Sequence, residues 1–159
     1  EYFKIPDNWL TDSGATNHIT PDLTSLSLAE GYTGQDQVSV GNGNTLPITH
    51  TGKVSLPTAS HTFSLNNVLR VPSIATNLLS VHKLCIDNNY HFTFFATHFH
   101  IQDNHSGKIL YQGPSANGLY PIHGFSPSSS SIKANLSSKV SSSLWHAGLV
   151  IPLQRCCIM

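Results

Sequence analysis

One carboxylate in the sequence is placed where it could do chemistry. Asp12 lies in the stretch Trp9-Leu-Thr-Asp-Ser-Gly-Ala15, where an apolar, strand-like run leads into a tight turn. A carboxylate held in such a turn can act as a general base on water when a second carboxylate shares its proton. The same residues are also typical of a plain Asx turn, in which the aspartate only accepts hydrogen bonds from nearby backbone N–H groups.

Two later segments give Asp12 a candidate setting. Residues 37–49, QVSVGNGNTLPIT, predict a β hairpin, because the Asn and Gly residues at its tip accept positive φ angles. Such a hairpin could form a flexible flap over a groove. Residues 77–80, NLLS, place two bulky apolar residues and a small one before a helical pattern. The order of these three parts is more specific than any one of them.

Short strands separated by turns dominate the chain. Alternation with polar neighbours, expected of strands with one buried face, is found at Val54, Leu56, Phe63 and Leu65. Further extended runs are predicted at 91–97, 98–103, 108–113 and 118–122. One helix is predicted over 77–89, with Asn77 as its N-cap and Asn88-Asn89 at its end. About eight strands and one helix favour a closed or sandwiched β fold, since short antiparallel strands must protect their edges.

Composition excludes several kinds of partner. Eight basic and eight acidic residues cancel, and only 10% of the chain is charged, so we expect no direct binding of nucleic acid. No apolar run reaches the ~20 residues that span a bilayer, and residues 1–9 lack the layout of a signal peptide. The three cysteines give no framework of pairs. We therefore expect an intracellular chain without membrane contact. Because it begins with Glu1, we also expect a piece of a longer translation product.

A metal site is the other chemistry that the composition raises. The chain has ten histidines, and four lie near one another in sequence: His91, His98, His100 and His105. No Cys-x-x-Cys pair or glutamate lies beside them, and strand histidines more often pack at a surface than bind zinc. The pair Gly41 and Gly43 is not followed by the Lys and helix of a phosphate-binding loop. We predict neither metal nor organic cofactor.

The segments together resemble the protease region and the start of the pre-integrase segment of a plant copia-type LTR retrotransposon Gag-Pol polyprotein. The resemblance runs from Trp9 to about Ala147 and is carried by WLTDSGATNHITPDLTSLS, VSVGNGNTLPITHTGKVSLP, FSLNNVLRVPSIATNLLSVHKLC, GLYPI and LWHA. Retroviral enzymes usually have Gly where Ser80 stands, whereas copia-type elements are similar to this chain in having Ser. The resemblance implies a mainly β, retropepsin-like closed β-barrel with one short helix, plus additional C-terminal strands.

The resemblance also implies an activity, that of an aspartic endopeptidase cutting peptide segments of its own polyprotein. The chain has a single Asp-Ser-Gly turn, so a two-fold homodimer must supply the second carboxylate. The implied catalytic turn is Asp12, Ser13 and Gly14. The implied substrate-binding residues are Ala15, Gly41, Asn42, Gly43, Leu78, Leu79 and Ser80. The implied location is the cytoplasm, within a retrotransposon particle.

The sequence divides into four predicted segments. They are a linker from the upstream polyprotein (1–8), the retropepsin-like β-barrel domain (9–125), a Ser-rich linker (126–143) and a truncated pre-integrase start (144–159). Loss of one base after Ala147 converts a possible coding of the family's Arg-Leu-Gly-His-Pro into the observed Gly-Leu-Val-Ile-Pro. We therefore predict that residues 148–159 are translated out of frame and that Cys156 and Cys157 are not zinc ligands.

A second class of function stays open at this point. The chain could be a catalytically inactive β-barrel remnant, or a binding module, of a decayed element. An intact Asp12-Ser13-Gly14 turn favours the enzyme, whereas the predicted frameshift favours decay.

Overall fold

The computed structural model describes residues 8–124 of the 159-residue chain. Most of the predicted upstream linker, the Ser-rich linker and the predicted pre-integrase start lie outside these residues. The described elements are β1 (Asn8–Asp12), β2 (Ile19–Thr20), a 3-10 turn (Leu23–Ser25), β3 (Ser27–Gly31), β4 (Gln37–Ser39), β5 (Thr45–Pro47), β6 (His50–Pro57), β7 (Thr62–Arg70), β8 (Asn77–Ser80), α1 (Val81–Asn88), β9 (Tyr90–Phe94), β10 (His98–Asp103), β11 (Ile109–Pro114) and β12 (Pro121–His123).

Three sheets contain all of these strands. The largest has seven strands in the order β12-β1-β8-β2-β7-β6-β3, and the others are β11-β10-β9 and the hairpin β4-β5. The predicted mainly β fold with one helix is confirmed. Within residues 8–124 the two edge strands of the large sheet, β12 and β3, do not pair with each other, so strand pairing does not close the sheet. Closure into a barrel stays a prediction.

The strand that ends at Asp12 lies inside the large sheet. β1 pairs in parallel with β8, and the register sets Asp12 opposite Ser80. On its other side β1 pairs antiparallel with β12, with Trp9 opposite Ile122. β8 and β12, which are far apart from β1 in sequence, therefore flank it on both sides. The aspartate turn begins where β1 ends.

Two apolar clusters form the core. The first contains the inward residues of β6 and β7, and the predicted alternation at Val54, Leu56, Phe63 and Leu65 is confirmed by their burial. It also takes in Trp9 and Leu79 from β1 and β8. The second, smaller cluster joins the β4-β5 hairpin to β2 and β8; its buried members are Ile19, Val38, Val40, Val71, Ile74 and Leu78.

The helix begins later than the sequence pattern predicts. Residues 77–80 form strand β8, and α1 begins at Val81 with Ser80 as its N-cap, the Ser80 hydroxyl accepting the backbone N–H of Lys83 at 3.1 Å. The prediction that Asn77 is the N-cap is therefore wrong. The Asn77 side chain instead accepts a hydrogen bond of 2.7 Å from the Thr20 hydroxyl, because β8 pairs with β2 in the large sheet.

The predicted end of the helix is confirmed. Asn89 is the C-cap, in the left-handed conformation at φ 56°, and its backbone N–H donates to the carbonyl of Cys85. Among residues 8–124, no helix is both long and apolar enough to cross a bilayer.

The strands after residue 90 belong to the same fold. β9, β10 and β11 form the small antiparallel sheet, whereas β12 returns to pair with β1 in the large one. Their inward side chains complete the first apolar cluster; they are Phe99, Ile101, Leu110, Tyr111 and Ile122. The C-terminal strands are therefore part of the structure that holds the Asp12 strand in place.

Candidate active site

Asp12 ends β1 and begins a tight turn. Its Oδ1 accepts the backbone N–H of Gly14 at 2.7 Å and that of Ala15 at 3.2 Å. Within the described residues Oδ2 accepts no hydrogen bond, and Asp12 is partly exposed. One oxygen is thus fixed by the turn and the other is free to act on a bound molecule. The hydrogen bonds from Gly14 and Ala15 to Oδ1 are expected both in a plain Asx turn and in a catalytic turn.

The small residues of the turn keep the carboxylate accessible. Ser13 and Gly14 are exposed. A Cβ at position 14 would lie 3.4 Å from Asp12 Oδ1, so any larger residue would place its side chain against the carboxylate. Ala15 points inward and is buried. The roles of Ser13 and Gly14 in a dimer stay predictions.

Ser80 holds the turn from the neighbouring strand. Its hydroxyl donates to the carbonyl of Ala15 at 2.6 Å, and its backbone N–H donates to Nδ1 of His18 at 3.1 Å. Ser80 is fully buried, and its contact with substrate stays a prediction.

The sequence analysis did not identify His18 as a site residue. Its ring is fully buried, and because Nδ1 accepts a hydrogen bond, the neutral ring carries its proton on Nε2. Nε2 is buried without a hydrogen-bond partner in the described part of the chain. Burial, and then the positive charge of Lys83, lower the pKa of His18 from 6.5 to about 4, while Asp87 opposes the shift.

This burial predicts that folding stability depends on pH. Between pH 6.5 and about 4 the unfolded chain protonates His18 while the folded chain does not, so unfolding takes up a proton and stability falls as the pH falls. The loss is on the order of 3 kcal/mol across that window. Urea unfolding of wild type and His18→Asn at pH 7 and pH 4.5 measures it. We expect a smaller loss on acidification in the variant; equal losses in the two proteins would contradict the prediction.

The hairpin predicted over residues 37–49 is confirmed. β4 and β5 pair antiparallel, the Val40 backbone N–H donates to the Asn44 carbonyl at 2.9 Å, and the Gly43 N–H donates to the Val40 carbonyl at 2.8 Å. Gly43 alone of the tip residues has a positive φ, of 85°. The tip, which includes the predicted substrate-binding residues Gly41 and Asn42, is exposed.

The base of the hairpin packs against the strands beside Asp12. Val38 and Val40 share the second apolar cluster with Ile19 and Leu78. Leu78 and Leu79 alternate along β8 and lie in different clusters, so Leu78 is on the hairpin side and Leu79 is in the main core. Of the two predicted substrate-binding leucines, only Leu78 lies on the side of the sheet that the hairpin covers.

The described histidines are not grouped as metal ligands. No set of three or more His, Cys, Asp or Glu residues within 8–124 is arranged to hold a metal ion. His91 instead bonds to Asn104, and His98 stacks on Phe95 with ring centroids 4.4 Å apart.

Comparisons with known proteins identify the family to which the chain belongs. The family model described as "Pol polyprotein, beta-barrel domain" matches residues 9–90, and the chain belongs to this family. It is 45% identical over 146 residues to the retrovirus-related Pol polyprotein from transposon RE2 of Arabidopsis thaliana, and 47% identical over 148 residues to that from transposon RE1. Each alignment covers 92% of the chain and 10% of the relative, so the chain spans about a tenth of the length of these polyproteins. The resemblance to a plant copia-type Pol polyprotein is confirmed. No solved structure matches the chain significantly.

Proposed function

We propose that the chain is the aspartic endopeptidase segment of a retrotransposon Gag-Pol polyprotein, acting as a two-fold dimer of retropepsin-like closed barrels. The observation that carries the proposal is the Asp12 turn. One carboxylate oxygen is fixed by two backbone N–H groups, the other is free, and the turn lies at the end of a parallel strand pair next to a hairpin. A plain turn explains the fixed oxygen but gives no reason for the accompanying hairpin and parallel pair.

The chemistry requires two such turns. In an aspartic protease two carboxylates face one water and share a proton; one takes a proton from the attacking water and the other donates toward the scissile carbonyl. One protomer supplies one Asp12, so the two-fold axis must pass between the two turns. No metal or organic cofactor takes part.

The substrate in this proposal is an extended peptide segment of the polyprotein. It would lie as a strand between the hairpin tip and the floor formed by the Asp12 turn. Gly41, Asn42 and Gly43 would contact it from above, whereas Ala15 and Leu78, which are buried, would form the apolar layer beneath the groove floor. The proposed place of action is the retrotransposon particle in the cytoplasm.

The proposal predicts that specific activity depends on protein concentration. A monomer holds half of the catalytic machinery, so activity per mole of chain should fall with dilution below the dimer dissociation constant, approaching proportionality to concentration. The measurement is cleavage of a fusion protein carrying a junction from the same polyprotein, followed over a wide dilution series, with the oligomeric state determined at each concentration by analytical ultracentrifugation.

Two results would count against the proposal. Activity per mole that stays constant while the dimer dissociates would contradict the shared site. Absence of cleavage at concentrations where a dimer is demonstrated would favour the inactive remnant or binding module that the predicted frameshift after Ala147 suggests.

The hairpin tip is predicted to act as a flap over bound substrate. Residues 41–44 are exposed, and only a few hydrogen bonds inside the hairpin hold them. We expect their amide hydrogens to exchange rapidly in the free protein and at least about tenfold more slowly with a peptide-like inhibitor bound. The exposed turn at residues 104–107 serves as the internal control, because it lies in the small sheet. Equal exchange at 41–44 in both states would identify a purely structural hairpin.

A further inference from the structure

A continuous set of hydrogen bonds connects His18 to the Asp12 carboxylate. The His18 ring accepts the backbone N–H of Ser80, the Ser80 hydroxyl donates to the carbonyl of Ala15, and the backbone N–H of Ala15 donates to Asp12 Oδ1. Ala15 is therefore held at both of its polar groups, by Asp12 on one side and by Ser80 on the other. The chemistry of peptide cleavage does not itself require either His18 or Ser80.

His18 supplies an acceptor where the sheet has none. β2 pairs with β8 only at Ile19 and Leu78, so the ladder has ended before Ser80. A buried backbone N–H without an acceptor destabilises a fold, and both Ser80 and His18 are fully buried. The ring Nδ1 continues the ladder by one bond and so fixes where the backbone of Ser80 lies relative to the Asp12 turn.

We propose that His18 and Ser80 are positioning residues for the Asp12 carboxylate, His18 acting through Ser80 and Ser80 acting through Ala15. The inference rests on the proposed function, because it treats Asp12 as the catalytic group. Neither residue needs to touch the substrate. Their shared effect is on the orientation of the carboxylate oxygen that the turn fixes.

Loss of this support should change kcat more than KM. Displacing a reacting group by about 1 Å can cost roughly 10²-fold in rate, whereas binding of an extended peptide depends mainly on the hairpin and the groove. A role in folding alone would instead lower the fraction of active protein and leave the kcat of each active site unchanged.

Two substitutions of His18 separate these roles. His18→Leu fills the space without an acceptor, whereas His18→Asn places a carbonyl oxygen near the position of Nδ1. With active sites counted by titration with a tight-binding inhibitor, we expect kcat to fall about 10- to 100-fold in His18→Leu, with KM changed less than about threefold. His18→Asn should recover to within about fivefold of wild type. An unchanged kcat per active site in His18→Leu would overturn the proposal.

A double variant tests whether the two residues act in series. Ser80→Ala removes the hydroxyl that holds Ala15 but keeps the backbone N–H. If His18 acts only through Ser80, the double variant His18→Leu/Ser80→Ala should be no more than about twofold slower than the slower single variant. Fully multiplicative losses would show that His18 does not act through Ser80.

Amide NMR shifts test the same geometry without relying on activity. The N–H groups of Gly14 and Ala15 both donate to Asp12 Oδ1, so their proton shifts report on this bond. We expect both amide proton shifts to differ from those of wild type in His18→Leu and to lie closer to them in His18→Asn. If wild type cleaves nothing but the shifts behave in this way, the proposed function fails while the positioning of Asp12 stands. If wild type cleaves but the shifts are unmoved in His18→Leu, the positioning proposal fails alone.

Discussion

Replacing Asp12 by Asn should lower the rate of peptide cleavage at least about a hundredfold while leaving the fold intact. The Asn side chain can still accept the N–H groups of Gly14 and Ala15 through its carbonyl oxygen, so we expect stability to change by no more than about 1 kcal/mol. It cannot share a proton with a second carboxylate, and loss of general acid–base catalysis should lower kcat by roughly 10²- to 10⁴-fold. Cleavage of the junction fusion and urea unfolding, measured on the same preparations, test both parts.

Asp103 provides a matched control for this substitution. Its Oδ1 accepts the backbone N–H groups of His105 and Ser106, two and three residues further on, as Asp12 does with Gly14 and Ala15. Asp103→Asn therefore makes the same change in the same kind of turn, and we expect full cleavage activity. If Asp12→Asn and Asp103→Asn cleave equally well, Asp12 is a structural turn residue and the protease proposal is wrong.

The sequence predicted the parts of the fold that depend on local pattern. The alternation in β6 and β7, the position of the hairpin and the end of α1 at Asn89 each depend on residues within one element. The Asp-Ser-Gly turn is local in the same sense, so Asp12 and its backbone bonds could be expected before the structure was known.

The features that sequence did not predict depend on pairings between distant segments. Asn77 is a good N-cap by type, but the pairing of β8 with β1 and β2 draws residues 77–80 into the sheet and transfers the cap to Ser80. His18 gave no signal, because a single histidine before a short apolar strand is usually unremarkable. Its role depends on Ser80, which reaches it only after β2 and β8 pair.

The pairing of β12 with β1 is a further contact between distant segments that the sequence did not predict. It shows that the folded domain extends beyond the family match. The family match ends at residue 90, yet the first apolar cluster draws five buried residues from beyond it: Phe99, Ile101, Leu110, Tyr111 and Ile122. Thr11, beside Asp12, also donates its hydroxyl and its backbone N–H to the carbonyl of Tyr120, at 2.8 and 3.2 Å. The strand that carries the candidate catalytic group is thus held by the last described strand and the residue before it.

A chain ending at residue 90 is therefore expected to remain unfolded. At the usual cost of about 2–5 kcal/mol for emptying a buried site, loss of the five core residues amounts to roughly 10–25 kcal/mol, which is as large as or larger than the ~5–15 kcal/mol that stabilises an ordinary domain. Removing β12 also leaves the edge of β1 without its backbone partners. Circular dichroism and amide NMR of residues 1–90 test this; dispersed amide signals and a cooperative unfolding transition would show that the C-terminal strands are dispensable.

Two isoleucines test the same point in the intact chain. Ile122 in β12 is 0% exposed, whereas Ile109 in β11 is 49% exposed. Ile122→Ala should lower the free energy of unfolding by about 2–5 kcal/mol, and the same substitution at Ile109 by about 0.5 kcal/mol or less. Because β12 holds β1, the destabilised Ile122→Ala protein should also lose protection from hydrogen exchange at residues 9–12 before it does so in β6 and β7. Equal unfolding free energies for the two alanine variants would mean that β12 does not support the Asp12 strand.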